Sequence, residues 1–153
     1  MTTPRLDDQL CFALYAANRL VARSYKPVLL KLGLTYPQYL VMMVLWEWDD
    51  DGDNAHPVGV LGSRLYLDSG TLTPLLKRLQ ERGLVHRDRS SEDERVVLVG
   101  VTQRGRELAA HAESVPEEMA CMFPDEDIGQ ISNLRFGVRR IVEILAQGTV
   151  KTF

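Results

Sequence analysis

A mainly α-helical chain carrying one small β wing is the fold class this sequence predicts, and three observations lead there. Long stretches repeat apolar residues at helical spacing, one short β-branched run stands apart from them, and a polar turn precedes that run. The clearest helical stretch follows Asp68, where Leu72, Leu75, Leu76 and Leu79 recur at i, i+3, i+4 and i+7 and so form one inward face. Its other side carries Ser69, Thr73, Lys77 and Gln80, with Thr71 and Arg78 at the edges. Short polar and cationic heads on a helix anchored by its back suit phosphates and base edges in a major groove.

In chain order, Asp7 and Asp8 open a helical pattern through Leu10, Leu14, Leu20, Val28 and Leu32 that closes at Gly33, and Pro27 predicts a kink or two consecutive helices. Thr35 and Gln38 have capping-box spacing, and Tyr39 to Trp48 is apolar on nearly every side, which predicts a buried central helix. Asp49 to Asn54 reads as an acidic loop whose glycine is misplaced for a calcium-binding loop. Val58 to Leu67 gives a short helix that precedes the Leu72–Leu79 helix, with Ser63 or Arg64 near a phosphate, so the pair reads as a helix-turn-helix.

Asp68 or Ser69 caps the second of these helices and Gly83 ends it, while Pro74 predicts a loose or kinked first turn. Leu84-Val85 and Val96 to Val101 then predict a two-stranded hairpin, with Arg87, Arg89 and Arg95 on or beside its tip. A further helix starts at Thr102, meets Pro116 and continues through Met119 and Cys121. A last one runs from Asp125 to about Ala146, with Ile128, Ile131, Leu134, Val138, Ile141, Val142 and Leu145 as its stripe.

The domain reading is one unit over 1–153, with dimerisation helices at about 7–32 and 103–147 around a DNA-binding lobe at about 36–102. The outer helices carry more apolar face than so small a lobe can cover, which predicts a homodimer on a pseudo-palindromic duplex site.

Composition sets limits. At 153 residues, 45% hydrophobic and 25% charged, with no leader-like opening and no apolar run near a membrane span, the default expectation is a cytoplasmic protein with no membrane partner. The net charge of −3 argues against simple polyanion binding. Seven basic against six acidic side chains lie between Val58 and Thr102, so the DNA reading rests on arrangement more than on charge. His56, His86 and His111 stand far apart, so no metal or other cofactor is expected.

Two cysteines do not make a disulfide scaffold. Cys11 lies in the first turns of its helix, where the dipole favours a thiolate and Asp7 and Asp8 oppose it. Hydrogen-bond donors to sulfur would restore that preference. Tyr15 at i+4 can reach Cys11 on the same helix, whereas Tyr25 lies about 21 Å along the axis and can meet it only from a second subunit. From periodicity alone, a buried inert cysteine amid packing tyrosines remains an open reading.

The run DERVVLVGVT from Asp93 to Thr102 resembles the signature of the MarR family of winged helix-turn-helix regulators. The resemblance implies that Asp93 pairs with Arg95 and that Arg95 enters a minor groove. LDDQLCFALY, SYKP, LTYPQYLVMMVLWE, RLYLDSGTLTPLLKRL and VPEEMAC are similar to the organic hydroperoxide resistance branch of that family. That likeness implies a transcriptional repressor in which Cys11 senses organic hydroperoxide, Tyr25 and Tyr36 of the other subunit hydrogen-bond to it, and Cys121 is the resolving cysteine. A Cys11–Cys121 disulfide between subunits would then release operator DNA. Two alternatives stand beside it: a repressor of the same fold switched by a small aromatic ligand, and a thiol peroxidase, for which no further catalytic constellation is present.

Overall fold

The computed structural model describes residues 3–120 and 128–149. The chain divides into two units, 1–118 and 119–153. In order, the elements are α1 (Leu10–Leu32), α2 (Tyr36–Asp50), β1 (His56–Pro57), α3 (Val58–Leu65), α4 (Ser69–Glu81), β2 (Val85–Arg89), β3 (Val97–Val101), α5 (Gln103–Ala112), α6 (Val115–Ala120) and α7 (Ile128–Thr149). Among the described residues no single helix is long and apolar enough to cross a membrane.

The first unit is built around α2. Its Tyr39, Val41, Met42, Val44 and Leu45 are buried, because α1, α3, α4, α5 and β3 all pack against it. The Thr35–Gln38 capping box forms in both directions: the Gln38 N–H donates to Thr35 Oγ1 and the Thr35 N–H to Gln38 Oε1. That cap fixes where α2 begins, with Gly33, Leu34 and Thr35 between it and the end of α1. Gly33 makes the turn at φ 64°, with its N–H on Leu30 O and the next N–H on Leu29 O.

The expectations of a kink or second helix at Pro27 and of a loose first turn before Pro74 are corrected. α1 is one helix through Pro27. α4 is likewise continuous through Pro74, and its first turn is held from both sides, since the Leu72 N–H bonds Asp68 O and the Thr71 N–H bonds the Asp68 carboxylate. Each proline removes one hydrogen bond, a local cost that packing on the same helix outweighs: Leu29 and Leu32 follow Pro27, and Leu72 and Leu76 flank Pro74, all buried.

The sheet also differs from expectation. It has three antiparallel strands in the order β1-β3-β2, with His56 opposite Val99 and Val85 opposite Val101. β1 is only two residues long and contains Pro57, which an edge strand tolerates because one of its sides needs no donor. The expected acidic loop starts later than Asp49: Asp49 and Asp50 complete α2, and Asp49 makes a double hydrogen bond to Arg106 of α5 at 2.7 Å.

α4 ends in a double turn, with the Gly83 N–H on Gln80 O and the Leu84 N–H on Leu79 O, and Gly83 sits at φ 69°, where a side chain is strained. Gly105 answers a different need. A Cβ there would collide with Leu84 O, and its own carbonyl accepts the Trp46 indole N–H at 2.8 Å, so α5 lies tight against α2 and the sheet.

In the second unit α7 is one helix, and Ile131, Leu134, Phe136 and Ile144 on it are exposed in the single chain.

Candidate functional site

Two sets of side chains stand out, one around α4 and the sheet and one around α1.

Helix α4 is held by its back. Leu72, Leu76 and Leu79 are at most 1% exposed and Leu75 is half-buried, so Ser69, Thr73, Lys77, Arg78 and Gln80 face outward. At its start Asp68 accepts both the N–H and the hydroxyl of Thr71, each at 2.9 Å, and those bonds hold the Asp68 carboxyl below the usual carboxylate range. The Thr71 hydroxyl is therefore committed to the cap. Lys77 lies 3.9 Å from Glu81, an exposed pair of little energetic weight that an anion can displace.

The hairpin beside α4 carries the three expected arginines in three different situations. Arg87 on β2 donates to Gln80 Oε1 at 2.8 Å and ties the sheet to α4, while Arg89 at the end of β2 reaches across to the Glu94 carbonyl at 2.9 Å. Arg95 follows the turn. Of the expected Asp93–Arg95 pairing there is a backbone contact, Asp93 Oδ1 accepting the Arg95 N–H at 2.9 Å, and no ion pair among the described residues. Among the described residues the Arg95 guanidinium itself has no partner. Thr73, Arg87 and Arg95 line an open groove of about 500 Å³ between the start of α3, α4 and the hairpin.

Of the two candidates on α3, Arg64 is 3.4 Å from Glu47 and Ser63 donates to Gly59 O. Sequence reasoning missed Arg82. From the end of α4 its guanidinium donates to the carbonyls of Gly33 and, at 3.1 Å, Leu32, capping the C-terminus of α1 across 49 positions of chain. Nothing periodic signals such a contact.

At the other end, Cys11 is the second residue of α1 and is exposed. Among the described residues no hydrogen bond reaches its sulfur within the chain. Tyr15 is 58% exposed, and the Arg19 guanidinium lies over its ring at 5.6 Å. Tyr25 instead gathers with α2: its ring centroid is 4.8 Å from that of Tyr36 and 6.0 Å from that of Tyr39. Burial raises all three phenol pKa values above 10.0, with Tyr25 adding to the rise at Tyr36, so the three remain hydroxyl donors at neutral pH.

Tyr25 and Tyr36 are thus together, and Cys11 of the same chain lies most of α1 away from them. An apolar groove of about 340 Å³ opens beside Tyr36, lined by Ala22, Lys26, Leu30 and Leu34. Cys121 falls outside the described residues. Among those that are described, no cluster of three His, Cys, Asp or Glu side chains fits a metal ion.

Comparison with known proteins agrees with this geometry. The SarA/Rot transcriptional-regulator family profile matches residues 23–111. An organic hydroperoxide resistance transcriptional regulator of Bacillus subtilis is 49% identical over 112 residues, 73% of each chain. Among solved structures, reduced AbfR bound to DNA is 34% identical over 94% of both chains with a TM-score of 0.76, and AbfR is a protein of Staphylococcus epidermidis. The disulfide form of AbfR, also 34% identical, covers 94% of this chain and 91% of its own with a TM-score of 0.59. With a helix pair and three-stranded wing of this kind and a relative of that identity, the chain belongs to the MarR-type winged-helix transcriptional regulators, on their organic hydroperoxide resistance branch.

Proposed function

We propose that this protein is a homodimeric repressor that binds a pseudo-palindromic DNA operator and releases it when an organic hydroperoxide oxidises Cys11. The observation that carries the DNA half is the exposed polar face of α4, set beside an Arg95 guanidinium with no partner among the described residues. Lys77 and Arg78 serve phosphates, Ser69 and Thr73 face the groove floor, and Arg95 reaches the neighbouring minor groove. Regulators of this branch and the DNA-bound AbfR structure support the same reading. A second copy covers the exposed leucines of α1 and the apolar stripe of α7.

The redox half rests on Cys11, which is exposed in one chain, and on a pair of protonated tyrosines that, among the described residues, make no hydrogen bond to Cys11 of the same chain. In the dimer, Tyr25 and Tyr36 of one subunit donate to the Cys11 sulfur of the other. The thiolate attacks the terminal peroxide oxygen; the O–O bond breaks, an alcohol leaves with a proton, and Cys11 becomes a sulfenic acid. The thiol of Cys121 in the partner subunit then displaces water to form a disulfide. Bringing the two sulfurs to bonding distance requires α1 to shift, and that shift moves the two α4 helices off successive major grooves.

The groove beside Tyr36 favours one second reading, in which a small aromatic ligand with an acidic group docks against Lys26 and acts as the switch. Substituting Cys11→Ser separates the two. Operator binding by the reduced variant stays at the wild-type level, and stoichiometric cumene hydroperoxide, which releases the wild-type protein, leaves the variant bound. Release of the variant by peroxide rules out Cys11 as the sensor. In the wild type, a dithiothreitol-reversible covalent dimer on a non-reducing gel accompanies release; its absence removes the intersubunit disulfide from the scheme.

A further inference from the structure

Between α3 and α4 the chain does something its composition does not require. Tyr66 adopts φ 55° and ψ 38°, the left-handed region, and it is the one non-glycine residue at positive φ among those described. The turn needs that conformation, because the Tyr66 N–H closes on Ser63 O and the Leu67 N–H on Gly62 O at 2.9 Å to end α3. Glycine meets the need without strain and asparagine with little. A tyrosine at this position carries strain that a glycine would not. Its side chain is 68% exposed, and among the described residues its hydroxyl has no hydrogen-bond partner.

Its place in the fold gives the ring a use. Tyr66 stands two residues before Asp68, the cap of α4, and three before Ser69, on the exposed rim of the helix that the functional reading sends into the major groove. When the second helix of such a pair enters a groove by its N-terminus and the first crosses the backbone, the turn between them faces the sugar–phosphate strand. A phenol there offers one donor to a phosphate oxygen and a flat apolar face to the adjacent sugar. Arg64, the nearest cation before the turn, lies 3.4 Å from Glu47 in an exposed pair, so the tyrosine adds a neutral contact beside a cation that is partly engaged.

We propose that Tyr66 is a DNA-contacting residue that clamps the strand at the entrance of α4, and that its strained backbone is kept for that contact. The inference rests on the DNA-binding reading above and adds a residue to it. The contact is neutral and made to the backbone, so it sets affinity without selecting sequence and without releasing a counterion.

The test uses the full-length reduced protein and a pseudo-palindromic duplex selected by the wild type from a random pool. Thermal unfolding of Tyr66→Gly and Tyr66→Asn occurs at or above the wild-type temperature, because both relieve the left-handed strain. Both bind the selected duplex at least tenfold more weakly, with the slope of log K against log salt unchanged, and lose the same factor on a non-specific duplex. Tyr66→Phe loses about threefold, which isolates the hydroxyl.

Wild-type affinity in both Tyr66→Gly and Tyr66→Asn overturns the proposal. So does weaker binding accompanied by a lower unfolding temperature or by dissociation of the dimer, since Tyr66 would then be structural. Failure of the wild type to select any duplex overturns the DNA-binding reading itself, a result distinguishable from the other two.

Discussion

Helices α4 and α1 treat their leucines in opposite ways. On α4 the inward leucines, Leu72, Leu76 and Leu79, are essentially inaccessible within one chain, whereas on α1 only Leu29 and Leu32 are buried and Leu10, Leu20 and Leu30 are 60–66% exposed. A reading helix must present a fixed polar face, and one chain supplies all the packing that α4 needs to do so. On the proposed reading the sensing end is incomplete in one chain: Cys11 is the second residue of α1, whereas Tyr25 lies fourteen residues further on and is grouped with Tyr36 of α2. The proposed sensing would then be a property of the assembled pair, and reading a property of the lobe.

The largest expected effect breaks that contrast by exchanging the two kinds of leucine. Leu76→Ala leaves a cavity at the centre of the lobe and costs about 2–5 kcal/mol, so it abolishes operator binding through loss of the fold. Leu20→Asp costs little in the single chain, where the side chain is already 61% exposed. In the dimer it removes an interface contact, so its unfolding temperature falls with dilution far more steeply than the wild type's. Calorimetry over a hundredfold range of protein concentration checks both variants, and a concentration-independent Leu20→Asp sinks the role given to α1.

A smaller effect concerns the reading face. Lys77→Ala weakens binding by roughly tenfold and lowers the salt slope by about 1 if Lys77 meets a phosphate, and Arg95→Ala weakens it by a similar factor with the fold intact. Unchanged affinity and slope in Lys77→Ala would mean that the outward face of α4 points elsewhere.

Between the two regions stands Arg82, whose guanidinium joins the end of α4 to the end of α1. Arg82→Gln shortens the reach to both carbonyls and costs about 1 kcal/mol of stability. Its more telling effect is on coupling: the ratio of operator affinities between reduced and peroxide-treated protein falls by at least threefold, because α1 loses a direct hold on α4. A variant that is merely less stable, with the wild-type ratio, shows the contact to be a helix cap and nothing more.

The sequence disclosed the reading lobe better than the sensing end, and the reason is range. The faces of α4 follow from spacings of three and four residues, and the caps at Thr35 and Asp68 from spacings of three, so every signal lies within one turn. β1 left no such signal, since two residues with a proline show no alternation; it exists because β3 offers it an edge. Pro27 and Pro74 misled for the complementary reason, as a local rule met packing from several elements at once. Arg82 with Gly33, Arg106 with Asp49, and the Tyr25–Tyr36–Tyr39 group are joined only by the tertiary fold, and a tyrosine in a left-handed turn contradicts the preference that identifies such turns in sequence.

The smallest expected effect probes the seam between α2 and α5, which supports the reading lobe from behind. Asp49 Oδ1 and Oδ2 accept from Arg106 Nη2 and Nε at 2.7 Å, and the side chains of Asp49 and Arg106 are 16% and 40% exposed. That hydrogen bonding, with the guanidinium charge added to it, holds the Asp49 carboxyl below its ordinary value of 3.8 and outweighs the opposing effect of burial. A carboxyl whose pKa is lower folded than unfolded contributes stability above its unfolded value and loses that contribution as pH falls through its folded one. Asp49→Asn therefore unfolds a few degrees below the wild type at neutral pH, and the two unfolding temperatures converge in strong acid. The partly exposed guanidinium makes the gap shrink in molar salt as well. A gap that keeps its size from neutrality into acid would show that the asparagine disturbs packing, with no share for the ion pair.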